Sequence, residues 1–251
     1  MSLLPLLRKI YGRTRRVSLS FQCPVCGGDD FEKSRVLWGA LVRQWEISPE
    51  ERDYIDTQQG LICLKCNSTL RSMTLADAIL SAWRSRMNFT QLCEKEQAFR
   101  EAQLLEINEA GQLSPFLRLL PRHTLATYPE VDMQAMSYEG NRFDVIIHSD
   151  TLEHIPDPLQ ALRECYRVLK PGGIMCYTVP VIFGRTSRRR DDLPPSYHGS
   201  IIRRTADYQV VTEYGIDFFL QPSQAGFRSV SMHSLLFPDS TALICRKVTF
   251  E

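Results

Sequence analysis

The sequence predicts an α/β fold, in which a doubly wound, mostly parallel sheet with an antiparallel last strand is preceded by a small metal-binding module. Three observations support this prediction. Residues 143–180 read as strand, helix and strand in succession, residues 103–107 form an earlier apolar strand, and two C-x-x-C pairs lie in the first 70 residues. Strands that alternate with helices are typical of parallel sheets whose two faces are both covered by helices.

The chain has 251 residues, which is enough for one large domain and a small module. Its 30 basic and 29 acidic side chains leave a net charge of only +1, so no overall field marks it as a nucleic-acid binder. Basic residues cluster in segments 1–20 and 185–190, and either solvated segments or an anionic partner would explain them. No run of about 18 apolar residues occurs, so we expect no transmembrane segment and a cytoplasmic location.

The two C-x-x-C pairs predict a zinc site, because four thiolates form a closed tetrahedral shell and cytosolic cysteines of this spacing favour metal over disulfides. A residue that tolerates positive φ follows each pair, as such turns require. The 36 residues between the pairs exceed the spacing of a compact ribbon, and Ser48-Pro49-Glu50-Glu51 predicts a helix within them. Two unrelated surface turns or a redox pair are the alternatives. The predicted ligands are Cys23, Cys26, Cys63 and Cys66.

Residues 143–180 contain one complete β-α-β unit. The β-branched run 144–148 has the pattern of a strand buried on both faces, and Asp157-Pro158 predicts a helix start. Apolar residues recur at helical spacing up to Lys170, Pro171-Gly172-Gly173 ends the helix, and 174–179 is the next strand. Because ligands bind at the carboxyl ends of parallel strands, the loop 149–154 is a candidate site.

The other elements follow from the same periodicities and from capping residues. Helices are predicted at 73–87, 88–100, 114–120 and 216–224. Strands are predicted at 103–107, 123–128, 228–233 and 241–248, the last two as an antiparallel pair.

The β-α-β unit also carries a family signature. Its FD-x-V strand, LEH loop and L-x-E-x-x-R-V-L-K-P-G-G helix and turn resemble the class I S-adenosylmethionine-dependent methyltransferases, with all pieces in order and at the usual spacing. The resemblance implies a Rossmann-like fold, S-adenosylmethionine as cofactor and methyl transfer as the reaction. It covers the late half of the cofactor domain, which enzymes with unrelated acceptors share.

With this resemblance the chain divides into four predicted parts. They are a basic amino-terminal segment (1–20), a zinc-ribbon-like module (21–68), bridging helices (69–101) and a methyltransferase domain (102–251) whose acceptor lid spans about 181–215.

The resemblance also implies a set of cofactor-binding residues. Residues 106–112 occupy the place of the family's glycine-rich loop, but Asn108 and Ala110 stand where glycines are usual, and Gly111 is one residue out of register. Strands two and three would be compressed into 20 residues, so the assignments of their acids are exchangeable. A plain surface turn is the alternative for Asp132. The implied residues are Glu106, Asn108, Gly111, Glu130, Asp132, Met133, Ser149 and Leu152.

The catalytic candidates lie in two loops. His148 is in a strand and is assigned to structure, whereas His154 is in the strand-end loop, where it either meets the substrate or caps the next helix. The lid is too polar and too rich in proline for a simple helix, and long loops at strand ends tend to be functional. It offers His198 as a general base, with Glu213 or Asp207 as an orienting carboxylate. A lid whose polar residues satisfy one another is the alternative.

Three functions are compatible with these features. The leading prediction is O-methylation of a small molecule or of a glycan or sugar acceptor, because the lid is polar and the net charge is near zero. The second is an RNA methyltransferase that grips its acceptor with the zinc ribbon and the basic segment. The third is a non-catalytic binding protein, because the glycine loop is degenerate. The acceptor and the oligomeric state are left open.

Overall fold

The computed structural model describes residues 14–197 and 208–248. Its first part is a three-stranded antiparallel sheet, with two helices inserted between the second and third strands. Ser48 caps the second helix: its hydroxyl accepts the Glu51 amide at 3.1 Å, and the Glu51 carboxylate accepts the Ser48 amide at 2.8 Å. The predicted capping box is confirmed. The elements are β1 (Arg15–Val17), β2 (Phe31–Lys33), α1 (Gly39–Gln44), α2 (Pro49–Gly60) and β3 (Leu61–Cys63).

Three helices lead from this sheet to the main domain: α3 (Leu70–Trp83), α4 (Phe89–Lys95) and α5 (Gln97–Glu101). The helix predicted at 73–87 begins earlier, because Thr69 caps it, and ends earlier, because Arg84 takes a left-handed conformation (φ 57°). The helix predicted at 88–100 is interrupted at Glu96, whose backbone is extended.

The main domain follows the predicted alternation of strands and helices, with short 3₁₀ turns at Gly111–Leu113 and Leu152–His154. Its first half contains β4 (Leu104–Ile107), α6 (Ser114–Leu117), β5 (His123–Ala126), β6 (Phe143–Ser149), α7 (Pro158–Val168) and β7 (Leu169–Thr178). Its second half contains β8 (Val181–Ile182), β9 (Arg188–Arg189), β10 (Thr212–Gly215), α8 (Leu220–Gln224), β11 (Ser229–Leu235) and β12 (Ser240–Arg246).

The large sheet has the order β11-β12-β7-β6-β4-β5. Strands β5, β4, β6 and β7 are parallel, while β12 is antiparallel to both β7 and β11. The predicted doubly wound, mostly parallel sheet with its antiparallel last strand is confirmed. The Pro-Gly-Gly turn is absorbed into β7, which starts directly after α7 and shifts register opposite Phe143 and Val145.

The expectation of a third strand before β6 is wrong for the described residues. Residues 127–142 form turns instead of a strand. Their carbonyl groups bond to a side chain rather than to a neighbouring strand: Arg167 of α7 donates to the carbonyls of Met136 and Tyr138, both at 2.8 Å. The sheet therefore ends at β5.

Two apolar layers cover the large sheet. Helix α3 packs on one face, where Leu75 and Ile79 join the residues of one core cluster. Helix α7 packs on the other face through Leu162 and Val168. Within the part of the chain that the structure describes, no helix has the length and apolar character needed to cross a membrane.

The lid forms a small sheet of its own beyond the carboxyl ends of β6 and β7. Strand β10 pairs in parallel with β8 and antiparallel with β9. The lid packs on helix α1 and the turn after it through a third apolar cluster that includes Leu41, Trp45 and Val210. The insertion between the two cysteine pairs therefore forms a wall against which the lid is folded.

Candidate functional site

The four predicted zinc ligands lie together at one end of the three-stranded sheet. The Cys23 and Cys66 sulfurs are 3.7 Å apart, as are those of Cys26 and Cys63, and all four sulfurs lie within 4.8 Å of one another. Zinc–sulfur bonds of about 2.3 Å in a tetrahedron require sulfurs about 3.8 Å apart, so the spacing fits zinc.

The turns that follow the cysteines have the conformation that metal knuckles need. Gly27 and Asn67 have φ values of 73° and 59°. Their amides donate to the carbonyls of Cys23 and Cys63, each at 2.8 Å. Hydrogen bonding from Cys23 lowers the pKa of Cys66, with a further contribution from Ser68, although burial opposes this.

The loop after β4 is shaped by a buried carboxylate. Glu106 is fully buried and accepts hydrogen bonds from the Ala110 amide at 2.8 Å and from His123 Nε2 at 2.7 Å. Burial opposes its ionisation, but the bonds from His123 and Ala110 outweigh this and hold the pKa of Glu106 below its usual range. Glu106 therefore closes the loop on itself.

Asn108 and Gly111 give this loop its sharp turns, with φ values of 52° and 57°. The Asn108 side chain accepts the Tyr128 amide at 3.2 Å, which joins the ends of β4 and β5. Gly111 lies against helix α3, because a Cβ atom there would meet Ser72 Oγ at 3.0 Å. The departures from the family's glycine pattern thus keep the turn.

The two acids predicted after β5, Glu130 and Asp132, differ in how their carboxylates are bonded. Glu130 is exposed and its carboxylate lies 3.4 Å from Thr127 Oγ1. Asp132 accepts the Gln134 amide at 2.8 Å in a turn, and Met133 is buried in the core. The alternative of a surface turn at Asp132 describes what the structure shows, and Glu130 is the freer of the two carboxylates.

The loop after β6 is held by a partly buried ion pair that sequence reasoning missed. Asp150 has a positive φ of 47° and pairs with Arg71 of α3. Ser149 Oγ lies 2.8 Å from Thr178 Oγ1, which ties the ends of β6 and β7, while Leu152 is buried. No motif pointed to Arg71, which lies just before the helix predicted at 73–87.

His154 lies in the loop after β6, between the Gln209 carbonyl and the Glu153 carboxylate. Its Nδ1 lies 3.1 Å from the Gln209 carbonyl oxygen, which only accepts hydrogen bonds, so the neutral ring carries its proton on Nδ1. The lone pair is then on Nε2, 3.7 Å from Glu153 Oε1. Burial raises the pKa of Glu153 to about 8, although Arg71 opposes this.

Glu213 is held inside the lid by three arginines. It is fully buried, and its oxygens accept from Arg185 at 3.2 Å, from Arg188 at 2.7 Å and from Arg190. This satisfies the carboxylate inside the lid, as the alternative of a self-satisfied lid describes. The predicted base His198 and its second possible partner Asp207 lie outside the described residues.

Helix α1 and the turn after it secure the lid. The Trp45 indole donates to Ser196 Oγ at 2.7 Å, and its ring lies 5.2 Å below the Arg190 guanidinium. The Arg185 guanidinium donates to the Trp45 carbonyl at 2.6 Å. Sequence reasoning missed this contact, because nothing in a sequence links residue 45 to residue 190.

A polar cavity of about 340 Å³ lies between the lid and helices α7 and α8. Buried Thr212 lines it, and the Thr212 hydroxyl has no hydrogen-bond partner among the described residues. The charged and amide side chains in its wall are Arg188, Arg189, Asp217, Gln221 and Gln224.

The parallel sheet, the turn after β4 and the loop after β6 have the arrangement that the resemblance found in the sequence implies. The comparisons agree: residues 103–177 match the family described as "Methyltransferase domain". The resemblance found in the sequence is confirmed, and this chain carries such a domain.

Among known proteins, ubiquinone biosynthesis O-methyltransferase of Stutzerimonas stutzeri is 30% identical over 140 residues, which are 54% of this chain and 56% of that protein. The enzyme of the same description from Pseudomonas paraeruginosa is 29% identical over 186 residues, 72% of this chain and 68% of that one. The chain spans little more than half the length of the Stutzerimonas relative. A Thermotoga maritima structure, described as a SAM-dependent methyltransferase and possible histamine N-methyltransferase, gives a TM-score of 0.41 at 13% identity, covering 71% of this chain and 90% of that one.

Proposed function

We propose that this protein is an S-adenosylmethionine-dependent methyltransferase that methylates a hydroxyl oxygen of a small molecule. The observation that carries the proposal is the β-α-β unit of β6, α7 and β7, which overlaps the matched methyltransferase domain and contains, between β6 and α7, the loop that holds His154. The relatives named above are O-methyltransferases by description, which supports oxygen as the atom methylated.

The cofactor would lie along the carboxyl ends of β4, β5 and β6. The positive-φ residues Asn108 and Asp150 turn the backbone away from the sheet there, and Glu130 offers a carboxylate to ribose hydroxyls. These features fit a nucleoside cofactor. S-Adenosylmethionine would supply an electrophilic methyl group on a sulfonium, which an acceptor oxygen attacks in line.

His154 is our proposed general base. Its Nδ1 lies against the Gln209 carbonyl oxygen, so in the neutral ring Nε2 carries the lone pair that would take the acceptor's hydroxyl proton as the oxygen attacks. The side chain is 16% exposed, so it is reachable without being fully solvated. His198 stays the rival candidate for this role.

The polar cavity beside the lid is the proposed acceptor site. Its volume of about 340 Å³ suits a small molecule, and its wall mixes donors and acceptors in the way that hydroxyl groups need. The buried Thr212 hydroxyl would gain a partner from a bound hydroxylated ligand. A sugar-bearing acceptor is the finer proposal, because guanidinium, carboxylate and amide groups each bond to adjacent hydroxyls.

The first test is calorimetric titration with S-adenosylhomocysteine. Binding with a dissociation constant in the micromolar range is expected, and absence of binding would refute the cofactor assignment and favour a non-catalytic protein.

With an acceptor in hand, His154→Gln should lower kcat by about 10²–10⁴ with little change in cofactor affinity. A matched His198→Gln variant distinguishes the two candidate bases, since only the true base shows that loss. Salt-dependent RNA binding would instead support the RNA methyltransferase.

We also propose that Cys23, Cys26, Cys63 and Cys66 bind one zinc ion. The carrying observation is the spacing of their sulfurs, and a shell of four thiolates leaves no position open for catalysis. Elemental analysis of the purified protein should find about one zinc per chain. The Cys26→Ser variant should lose most of it, whereas Cys93→Ser, a buried cysteine outside the cluster, should keep it. Equal zinc content in the two variants would contradict the assignment.

A further inference from the structure

The loop after β4 and the second cysteine turn are joined by a single side chain, Gln112. Its amide oxygen accepts three hydrogen bonds from the start of helix α3: from the Thr69 amide at 3.4 Å, from Thr69 Oγ1 at 3.3 Å and from Ser72 Oγ at 2.8 Å. These are the cap residue and the first turn of α3. The start of α3 therefore holds the loop after β4 in position through Gln112.

The beginning of α3 is in turn fixed by the cysteine turn. The Cys63 amide donates to the Ser68 carbonyl at 3.0 Å, and Cys66 Sγ lies 3.3 Å from Ser68 Oγ. Only Asn67 and Ser68 separate Cys66 from Thr69. Whatever closes the cysteine cluster also sets the direction in which α3 leaves it.

Gly111 shows that the loop is fitted to α3. Its positive φ and the 3.0 Å approach of Ser72 Oγ to a hypothetical Cβ leave little room for a side chain. The glycine of this loop is thus needed for contact with the helix, which accounts for its displacement by one residue from the family's register.

We propose that Gln112 is a positioning residue that couples metal binding at the cysteine cluster to cofactor binding at the end of β4. Metal would fix Cys63 and Cys66, and the turn that contains them fixes the start of α3 at Thr69 and Ser72. These two residues in turn bind Gln112 and so hold the loop after β4. The inference rests on the proposed cofactor and zinc sites. It adds that the zinc module acts on the affinity for the cofactor, in addition to any part in folding.

The test compares zinc-replete protein with protein stripped by a chelator, with circular dichroism to confirm that both are folded. Stripping should weaken S-adenosylhomocysteine binding to the unmodified chain about tenfold, the size expected from losing one or two net hydrogen bonds. Gln112→Ala should show the weakened affinity with zinc bound and little further change on stripping. Gln112→Glu keeps an acceptor oxygen and should restore the metal dependence.

The matched control is Gln91→Ala. Gln91 also accepts a backbone amide at a helix start, that of Asn88 at 3.2 Å, and this helix docks on the first cysteine turn through the Phe89 amide and the Pro24 carbonyl. Among the described residues no hydrogen bond joins the Gln91 side chain to the loop after β4, so the response of Gln91→Ala to zinc should equal that of the unmodified chain. If removal of zinc lowers the affinity for S-adenosylhomocysteine equally in the Gln112→Ala and unmodified chains, the proposal is overturned.

Amide hydrogen exchange separates failure of this coupling from failure of the cofactor assignment. With zinc bound, residues 108–113 should exchange faster in Gln112→Ala than in the unmodified chain, while residues 23–28 exchange equally. This readout needs no cofactor, so it decides the coupling even if S-adenosylhomocysteine does not bind. If removal of zinc unfolds the chain, the zinc-bound Ser72→Ala variant is measured instead. Its amide exchange at 108–113 should match that of Gln112→Ala. Exchange as slow as in the unmodified chain would refute the coupling.

Discussion

His148 offers the sharpest test of how this sheet is stabilised. The ring is fully buried in β6 and stacks on Tyr177 of β7, with ring centroids 4.5 Å apart and an interplanar angle of 18°. Neither ring nitrogen has a hydrogen-bond partner among the described residues. Burial lowers the pKa of His148 to about 3. The ring therefore stays neutral in the folded protein at pH values well above 3.

The sign of the pH effect follows from proton linkage. Below the ordinary histidine pKa of about 6.5 the unfolded chain takes up a proton that the folded chain refuses, so stability falls as pH falls, by about 1.4 kcal/mol per unit. From pH 7 to pH 5 this contributes a loss of about 2 kcal/mol. The loss continues down to the folded pKa of about 3.

The perturbation is His148→Phe, which keeps an aromatic ring against Tyr177 and removes both nitrogens. At pH 7 it should stabilise the protein by about 1–3 kcal/mol, because two buried polar atoms without partners are removed. At pH 5 the difference from the unmodified chain should be about 2 kcal/mol larger than at pH 7. Urea denaturation at both values of pH measures this.

Ile147→Val is the matched control, since it changes a buried neighbour in the same strand without a titratable group. It should cost about 1 kcal/mol equally at both values of pH. If His148→Phe differs from the unmodified chain by the same amount at pH 7 and pH 5, then the ring is either protonated or hydrogen-bonded, and the reasoning fails.

Three further predictions follow from the lid and the strand-end loops. Glu213→Gln should destabilise the protein by about 3–5 kcal/mol in urea denaturation, because three guanidinium groups lose their buried anion, and a change below about 1 kcal/mol would contradict that. Gly215→Ala should cost about 1–3 kcal/mol in the same assay, because its Cβ would lie 2.1 Å from the Arg185 carbonyl oxygen, whereas Gly140→Ala, with its closest contact at 3.5 Å, should be nearly neutral. Burial raises the pKa of Glu153 to about 8, so stability should fall as pH rises from about 4.5 to 8, and Glu153→Gln should flatten that slope.

The sequence predicted those parts of the fold that depend on local patterns. The β-α-β unit and the capping box at Ser48 are fixed by periodicity and by residues three apart, which a reader of the sequence sees directly. The cysteine cluster was also within reach, because each pair closes its own turn. The third strand before β6 was predicted by analogy with the family, and it is missing because the side chain of Arg167 takes the backbone carbonyls of that segment.

The contacts that sequence reasoning missed are all long-range pairs without a motif. Arg71 with Asp150 and Trp45 with Arg190 join positions 79 and 145 residues apart, and each residue alone reads as an ordinary member of a helix or loop. Glu213 illustrates the same limit from the other side. In the sequence, a carboxylate in a polar lid is a reasonable catalytic candidate. Only the folded structure shows that three arginines bind the Glu213 carboxylate within the lid.

These long-range pairs also give the insertion between the two cysteine pairs a role. Its middle carries Trp45, which holds the lid through Ser196 and Arg190. The cysteine turn that follows it leads into α3, which holds the loops after β4 and β6 through Gln112 and Arg71. A module that merely stabilised the amino terminus would need neither set of contacts. The acceptor side and the cofactor side of the proposed site are thus both attached to the part of the chain that holds the four-cysteine cluster, so its folding sets the geometry between them.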